Sequence, residues 1–406
     1  MILSIAWRNL WRHRRRTLLT ASSMAVSLAL CIVLGGFTSG FMELLRAAVV
    51  DRSIGHVQIH HPDYPTSASP YDTVADADTV LANLKALPSV DRVAGRIQGF
   101  ALFGGRGEEA STGMFMGVDP VGEAALTGMD ERLVSGAWLD DGTPGAVIGE
   151  RLAKSLDLAV GGELLVVTNA LDGSIGDRVY PVLGVYKTDN IGLDEGAVLT
   201  LAAAQELLVL EDAIHEIVVV THDADTIDQE LPAITAAAPD LAVRPWWEVS
   251  PETVEMLGLT GVTTGFFAVI ILGIAAFIII NTLLMSVYER TRELGVLAAI
   301  GTRPRQIVSM ILAESALLAG LSAALGLALG LSGTAWLASS GLRLDVGDGA
   351  SFTIAGVALD PVVHAQLTAD NVLIPLFTLG FVAVIGGLWP AVRAARLDPV
   401  TAIRQE

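Results

Sequence analysis

The chain has 406 residues, of which 52% are hydrophobic and 17% charged, and its formal net charge is −19. It is too apolar for an ordinary soluble protein and too mixed for a wholly buried one, so an integral membrane protein with a sizeable water-exposed part is expected. Its acidity disfavours nucleic acid and anionic lipid as partners of that exposed part.

In chain order, residues 1–16, MILSIAWRNLWRHRRR, set Ile2, Ile5, Trp7, Leu10 and Trp11 at helical spacing and gather Arg8, Arg12 and Arg15 on another face. The pattern predicts an amphipathic helix in the inner interface of a bilayer, tryptophans at headgroup depth and arginines on lipid phosphate. A plain topology signal is the compatible alternative. WRHRRR followed by an apolar run ending SLALC imitates a lipoprotein signal. Leu30 is larger than the residue such a cleavage site wants, and IVLGGF carries the run past Cys31, so an uncleaved anchor is expected. Cys31 is the single cysteine, which leaves no intramolecular disulfide.

Four apolar runs, 17–37, 262–287, 307–338 and 372–392, approach or exceed the roughly 20 residues that cross a bilayer as helix. The three short segments that share one side hold 12 Lys and Arg against four acids, which places them and both termini in the cytoplasm. Residues 41–257 hold 12 basic and 35 acidic residues, suited to the outer face. The expected fold is therefore an α-helical membrane protein: four transmembrane helices plus a large α+β extracytoplasmic domain of two subdomains, inserted between helices 1 and 2. Its layout is an interfacial helix at 1–16, the first membrane helix and stalk at 17–50, the α+β domain at 51–249 with an inserted subdomain at 114–210, and a stalk and second membrane helix at 250–287. A cytoplasmic segment at 288–306, a third membrane helix at 307–338, an outer loop at 339–371, a fourth membrane helix at 372–392 and a tail at 393–406 complete it.

Helix formers continue beyond the first crossing to about residue 50. Before the second, Ser250 is a good N-cap and Pro251 a good first helical residue. Helix over 251–262 would add roughly 16 Å outside the bilayer. Within the domain, β-type runs such as HVQIHH, GRIQGFALFG, GELLVVTN and HEIVVVTH alternate with helical stretches such as ADTVLANLKALP and LAAAQELLVL. The polar stretch between crossings three and four, with alternation around 352–357, predicts a short hairpin or lid.

The seven histidines show no HxxxH or HExxH spacing, no GxSxG elbow is present, and Lys85, Lys154 and Lys187 follow Leu, Ala and Tyr, so no phosphate-binding loop exists. No catalytic residue, metal site or cofactor is expected in this chain. Asn281 and Glu314 are the conspicuous polar residues in the apolar runs. Glu314 lies near enough to the inner surface to reach an arginine such as Arg290 or Arg292, which favours a structural or coupling role over ion transport. Gly320, Ala324, Gly326 and Gly330 form a small-residue stripe for close helix contact, within the chain or across a dimer.

The stretch SVYERTRELGVLAAIGTRPRQI packs charges between two apolar runs. Glu289 and Glu293 lie near Arg290 and Arg292, an apolar stripe runs through Leu294, Leu297 and Ala298, and Gly301 stops the helix before TRPRQI. Such a helix at the inner surface is shaped to dock into a cleft on another protein, with an ordinary charged loop as the alternative.

The stretch resembles the signature of FtsX/MacB-type ABC permeases, approximately ERxxEIGxLxAIGxxxxxI, through Glu289, Arg290, Glu293, Leu294, Gly295, Leu297, Ala299, Ile300, Gly301 and Ile307. PAVRAARLDPVTAIRQE is similar to the family's ending through Pro390, Ala391, Ala394, Asp398, Pro399, Ala402 and Arg404. The layout is similar to that of the lipoprotein-releasing LolC/LolE permeases, the nearer match, and of the efflux permease MacB. That resemblance implies a permease dimer, of like or unlike chains, in the bacterial inner membrane, with separate ABC ATPase subunits that hold ATP and Mg. It implies ATPase coupling by Glu289, Arg290, Arg292, Glu293, Leu294, Gly295, Leu297, Gly301 and Arg303, and mechanotransmission to the outer domain. The function it implies first is extraction of lipoproteins from the inner membrane, the lipoprotein or other amphiphilic cargo entering along a wall of Phe266, Phe267, Ile270, Ile271, Ile274 and Phe277. A MacB-like efflux permease and an FtsX-like non-transporting mechanotransmitter are the alternatives. The loop at 169–178 is shorter than the LolC/LolE hook and lacks its prolines, which puts direct capture by a periplasmic carrier in doubt.

Overall fold

The computed structural model describes all residues except 1, 13, 65–68, 106, 108, 189, 345–351, 355–356, 360–361 and 397–406; the side chains of 2–5, 225, 298, 352–354 and 357–359 are also outside the description. His13, the apolar contacts of Ile2 and Ile5, the alternation around 352–357, Ala298 and the motif residues Asp398, Pro399, Ala402 and Arg404 therefore fall outside it. The chain divides into two compact units: Met1–Met42 with Met256–Leu344 and Val362–Glu406, and Glu43–Glu255 with Asp345–Pro361.

The first unit is helical: α1 (Ile2–Arg12), α2 (Arg14–Arg46), α3 (Pro251–Glu289), α4 (Thr291–Ala299), α5 (Pro304–Ser340) and α6 (Ala369–Ala395). Among the described residues α2, α3, α5 and α6 are long and apolar enough to cross a membrane. The interfacial helix expected over 1–16 ends at Arg12, and Arg14 already opens α2. At its far end α2 gives way to π-helical turns over Ala47–Ile54. Ser250 stands before Pro251 at the start of α3, its hydroxyl bonded to Glu252 and Thr253.

Met24, Leu28 and Ile32 of α2, Ile279 and Leu283 of α3, Leu318 of α5 and Leu379 and Ala383 of α6 form one buried cluster. Lipid is as apolar as these side chains, so close packing and interhelical hydrogen bonds hold such helices together. Ser315 Oγ donates to Ala383 O at 2.6 Å, and Thr20 and Thr282 share a bond of 3.1 Å. The small-residue stripe divides: a Cβ on Gly326 would lie 2.9 Å from Leu28 and one on Gly330 3.0 Å from Ile32, so these two admit α2. Gly320 meets nothing within 4 Å and Ala324 is exposed.

The second unit carries a ten-stranded sheet of β1 (Val57–His60), β2 (Val90–Gly104), β3 (Ala110–Val118), β4 (Leu133–Gly136), β5 (Ala146–Gly149), β6 (Glu163–Asn169), β7 (Ile175–Tyr186), β8 (Ala197–Thr200), β9 (Glu216–Thr221) and β10 (Ala242–Pro245). The order is β10-β1-β9-β2-β3-β8-β5-β7-β4, with β6 on β2 and β7. Strands β3 to β8, most of the expected insert, bond into the same sheet as the flanking halves, while β2 and β9 pair directly with Arg96 opposite Glu216. β9, EIVVVT, is buried on both faces, as its unbroken apolar run requires. Helices Ala77–Lys85, Leu201–Leu208 and Ile227–Ala237 supply Val80, Leu207 and Ile234 to the main core. The sequence reading missed β4, β10 and the helix Pro120–Thr127, each short and weakly patterned. Between α5 and α6, Leu342–Arg343 pairs with Val362–Val363 and Phe352–Ile354 with Val357–Leu359, both antiparallel.

Candidate functional site

The charged stretch breaks the helical path twice. α3 ends at Glu289, Arg290 turns the chain, and α4 runs over Thr291–Ala299. Gly301 then takes φ of +95°, a conformation that suits glycine, and Thr302 N donates to Leu297 O at 3.0 Å to close the helix end. Arg303 caps α5, with Gln306 Oε1 accepting from its backbone N at 2.9 Å and Pro304 at the first turn.

Three arginines and three glutamates converge here. Arg290 donates to Glu314 Oε1 at 2.9 Å and to Glu293 Oε2 at 3.1 Å. Arg12 reaches Glu293 at 2.8 Å, and Arg16 pairs with Glu289 and also donates to Ser286 Oγ at 3.0 Å. Asn9 Nδ2 donates to Glu314 Oε1 at 2.6 Å. The Arg290 hydrogen bond, opposed by burial and helped by Arg12, holds the Glu293 carboxyl below its ordinary range. A cavity of about 30 Å³ lies among Asn9, Arg12, Arg16, Ser286, Arg290 and Glu314. The network is charge-balanced, so it ties α1, α2, α3, α4 and α5 together without leaving a bare charge.

Two sequence expectations change. At its described positions the apolar stripe does not face outward: Leu294 is buried, and Leu297 packs beside it, against Val287, Ile307, Met310, Ile311, Ala391 and Ala394 of the same chain. The exposed face of the segment carries Arg292, Glu293, Val296, Ala299 and Ile300, with Arg303 exposed at the next turn. Gly295 is buried and Gly301 exposed. Second, Arg12 does not belong to lipid phosphate alone; its guanidinium is held by Glu293. Arg12 and Arg16 were missed as partners of the segment, and Asn9 as a partner of Glu314, because they lie more than 270 residues away in sequence. Their only sequence signal was the helical spacing that sets Asn9, Arg12 and Arg16 three and four residues apart.

Of the proposed cargo wall, Phe266, Phe267, Ile270, Ile274 and Phe277 are exposed on α3 and Ile271 is half-buried. Leu272, Ala275, Ile279 and Leu283 occupy the opposite face and are buried.

Residues 17–237 match the MacB-like periplasmic core domain family, and residues 265–399 match the FtsX-like permease C-terminal family. The chain is 35% identical over 143 residues to the ABC transporter permease YtrF of Bacillus subtilis, covering 35% of this chain and 31% of that protein. It is 26% identical over 435 aligned positions to the pyoverdine export ATP-binding/permease protein PvdT of Pseudomonas fluorescens, covering 99% of this chain and 59% of PvdT. Both matches span less than two thirds of the relative. The periplasmic region of MacB from Actinobacillus actinomycetemcomitans aligns with 49% of this chain and 92% of that one, at 13% identity and a TM-score of 0.37. With a family match covering residues 17–237, a second covering 265–399, and four apolar helices, the chain belongs to the MacB/FtsX-type ABC transporter permease family.

Proposed function

We propose that this chain is the non-catalytic membrane subunit of an ABC transporter in the bacterial inner membrane. It couples ATP hydrolysis on a partner ATPase to motion of its periplasmic domain, with both termini cytoplasmic and a second permease chain completing a dimer. The observation that carries the reading is the ion network. A force applied to α4 passes through Arg290 to Glu314 on α5, the buried link, and more weakly through the exposed Glu293–Arg12 pair to α1. Glu289 and Glu293 act inside the chain. The exposed Arg292, Val296 and Ile300 form the face that enters the ATPase cleft, where a partly apolar floor and an acidic group would receive them.

The cargo is an amphiphile that enters from the bilayer, because the wall from Phe266 to Phe277 is apolar throughout its exposed positions. A lipoprotein is the first choice. Export of a small amphiphile is the second, favoured by the similarity to PvdT, a pyoverdine export ATP-binding/permease protein. A periplasmic carrier or adaptor is a further partner in either case.

The test is ATP hydrolysis by the chain co-purified with its ATPase in lipid nanodiscs, with and without a triacylated lipoprotein. Ile300→Asp is expected to reduce ATPase association at least about tenfold, since it puts a charge into a desolvated contact. Association that survives Ile300→Asp and Val296→Asp together rules out this docking face. Hydrolysis unchanged by lipoprotein but altered by a macrolide-like amphiphile selects the efflux reading.

A further inference from the structure

A cavity of about 70 Å³ is lined entirely by residues of the α+β unit. It has room for about five waters, the size of a small polar group rather than of a whole lipid. Its walls come from the π-helical turns Ala47–Ile54, from β3, from the helix Pro120–Thr127 with the 3-10 turn Met129–Arg132 that follows it, and from residues just after β7. π-helical turns are rare and recur at functional positions.

Much of this lining is held in place from behind. Arg96, 5% exposed, donates to the two oxygens of Glu123 at 2.9 and 2.8 Å and to Ser53 O at 2.9 Å. Both Glu123 oxygens are thereby occupied, so this carboxylate presents no bare charge to the cavity. Thr188 is fixed by Asp194, whose Oδ1 accepts from its backbone N and from its hydroxyl, each at 2.7 Å. Asn190 Oδ1 accepts from Gly192 N and Leu193 N, which leaves its Nδ2 as a donor with no partner among the described residues. Met116 and Met129, 7% and 4% exposed, and Leu193 supply an apolar lining.

Arg52 and Arg132 are the anomaly. Residues 41–257 hold 35 acids against 12 bases, and Arg46, Arg92, Arg96, Arg178 and Arg244 each pair with a carboxylate. Arg52 and Arg132 line the same cavity, yet neither has a carboxylate at ion-pair distance among the described residues. Two unpaired guanidinium forks and a spare amide N–H beside an apolar lining form a receptor for an anion that carries an apolar substituent. We infer that this cavity binds a phosphate monoester, whose charge of about −1.5 to −2 at neutral pH matches the two arginines. Arg52, Arg132 and Asn190 Nδ2 donate to the phosphate oxygens, and the ester's apolar group lies against Met116, Met129 and Leu193. Arg52 stands on the π-helical turns and Arg132 on the 3-10 turn, so a bound ester bridges these two elements. The inference depends on neither the dimer nor the cargo of the proposed function.

The test titrates the full-length chain in phosphatidylcholine nanodiscs with phenyl phosphate, inorganic phosphate and benzoate by calorimetry, with hydrogen exchange as the local readout. Phenyl phosphate is expected to bind saturably, about threefold more tightly than inorganic phosphate and at least about tenfold more tightly than benzoate. It should slow exchange in 47–54 and 190–193. Arg52→Gln and Arg132→Gln should each weaken it at least about tenfold, whereas Arg151→Gln, at an exposed arginine outside the cavity, should leave it unchanged. The unliganded variants should melt with the wild type, since neither arginine makes an ion pair among the described residues. Slowed exchange that appears only in discs containing phosphatidic acid would support the same chemistry and name a lipid headgroup as its source. No saturable binding and no slowed exchange in any arm would overturn the inference. So would benzoate binding as tight as phenyl phosphate, or a loss in Arg151→Gln equal to that in Arg132→Gln. Neither of these results alters the ATPase-association test of the proposed function.

Discussion

The two units solve one electrostatic problem in different surroundings. In the α+β domain Arg96 bridges Glu123 at 2.8 Å and Glu216 at 3.3 Å, and the three side chains are 6%, 1% and 6% exposed. In the membrane unit Arg290 bridges Glu314 at 2.9 Å and Glu293 at 3.1 Å, but exposure rises from 7% at Glu314 to 44% at Glu293 and 63% at Arg12. The same arginine-between-carboxylates arrangement is dry throughout in one unit and graded from dry to wet in the other. A buried cluster is poorly compensated by solvent when a partner is lost, so it locks β2 to β9 and to the helix Pro120–Thr127. A graded one holds its anchor on α5 firmly while its outer members can exchange partners with water.

The largest effect should follow from breaking the dry cluster. Arg96→Met takes the guanidinium from buried Glu123 and leaves Glu216 with only His60 and Gln98, and is expected to destabilise the domain by about 3–5 kcal/mol. Hydrogen exchange in β2 and β9 of the full-length chain measures it, and unchanged protection would contradict the locking role. Next comes the anchored end of the other network. Glu314→Ala removes the acceptor of both Arg290 and Asn9 and should lower thermal stability by about 1–3 kcal/mol, together with looser exchange in α4.

Acidification acts on the buried cluster through Glu216. Burial alone would raise the Glu216 carboxyl, but the His60 hydrogen bond and Arg96 more than offset it and hold it below its ordinary value of 4.5. Its contribution is therefore full above about pH 4.5 and is lost as pH falls through the lower folded value. Protection of β9 should fall in that acid window in the wild type, and a β9 indifferent to pH there would show that the ionised form is not what the fold uses. The smallest effect belongs to the wet end: Arg12→Ala should cost no more than about 1 kcal/mol and vanish in high salt. A salt-independent loss would mean that Arg12 is less exposed in the assembled transporter.

Much of the membrane unit was legible from residue order. Long apolar runs announce spans because a bilayer accepts backbone only when its hydrogen bonds close within the segment. Gly301, Pro304 and the charged stretch marked the break between α3 and α5 for the same local reason, that caps and turns depend on neighbours a few residues away. Which face of α4 points outward was not legible. Leu294 and Val296 are both apolar, and only the packing of α6 and α5 decides that Leu294 is covered and Val296 is not. Strands such as β9 stood out by composition, whereas β4 and β10, four residues each, have too few positions for a pattern and exist because β7 and β1 offer open edges.

Residue order alone thus determined the membrane class, the four apolar spans, the position of the α+β domain between the first two, and the charged stretch with its family signature. Each follows from composition or spacing within a window of about 20 residues, the range over which a helix or a bilayer reads a sequence. Tertiary structure alone decided that Arg12, Arg16 and Asn9 belong to Glu293, Glu289 and Glu314, that Arg96 joins Glu123 to Glu216, and that Asn281 faces away from its own bundle. Those pairings join residues as far as 305 apart, and no local rule carries charge or hydrogen-bond complementarity over that distance until the chain has folded.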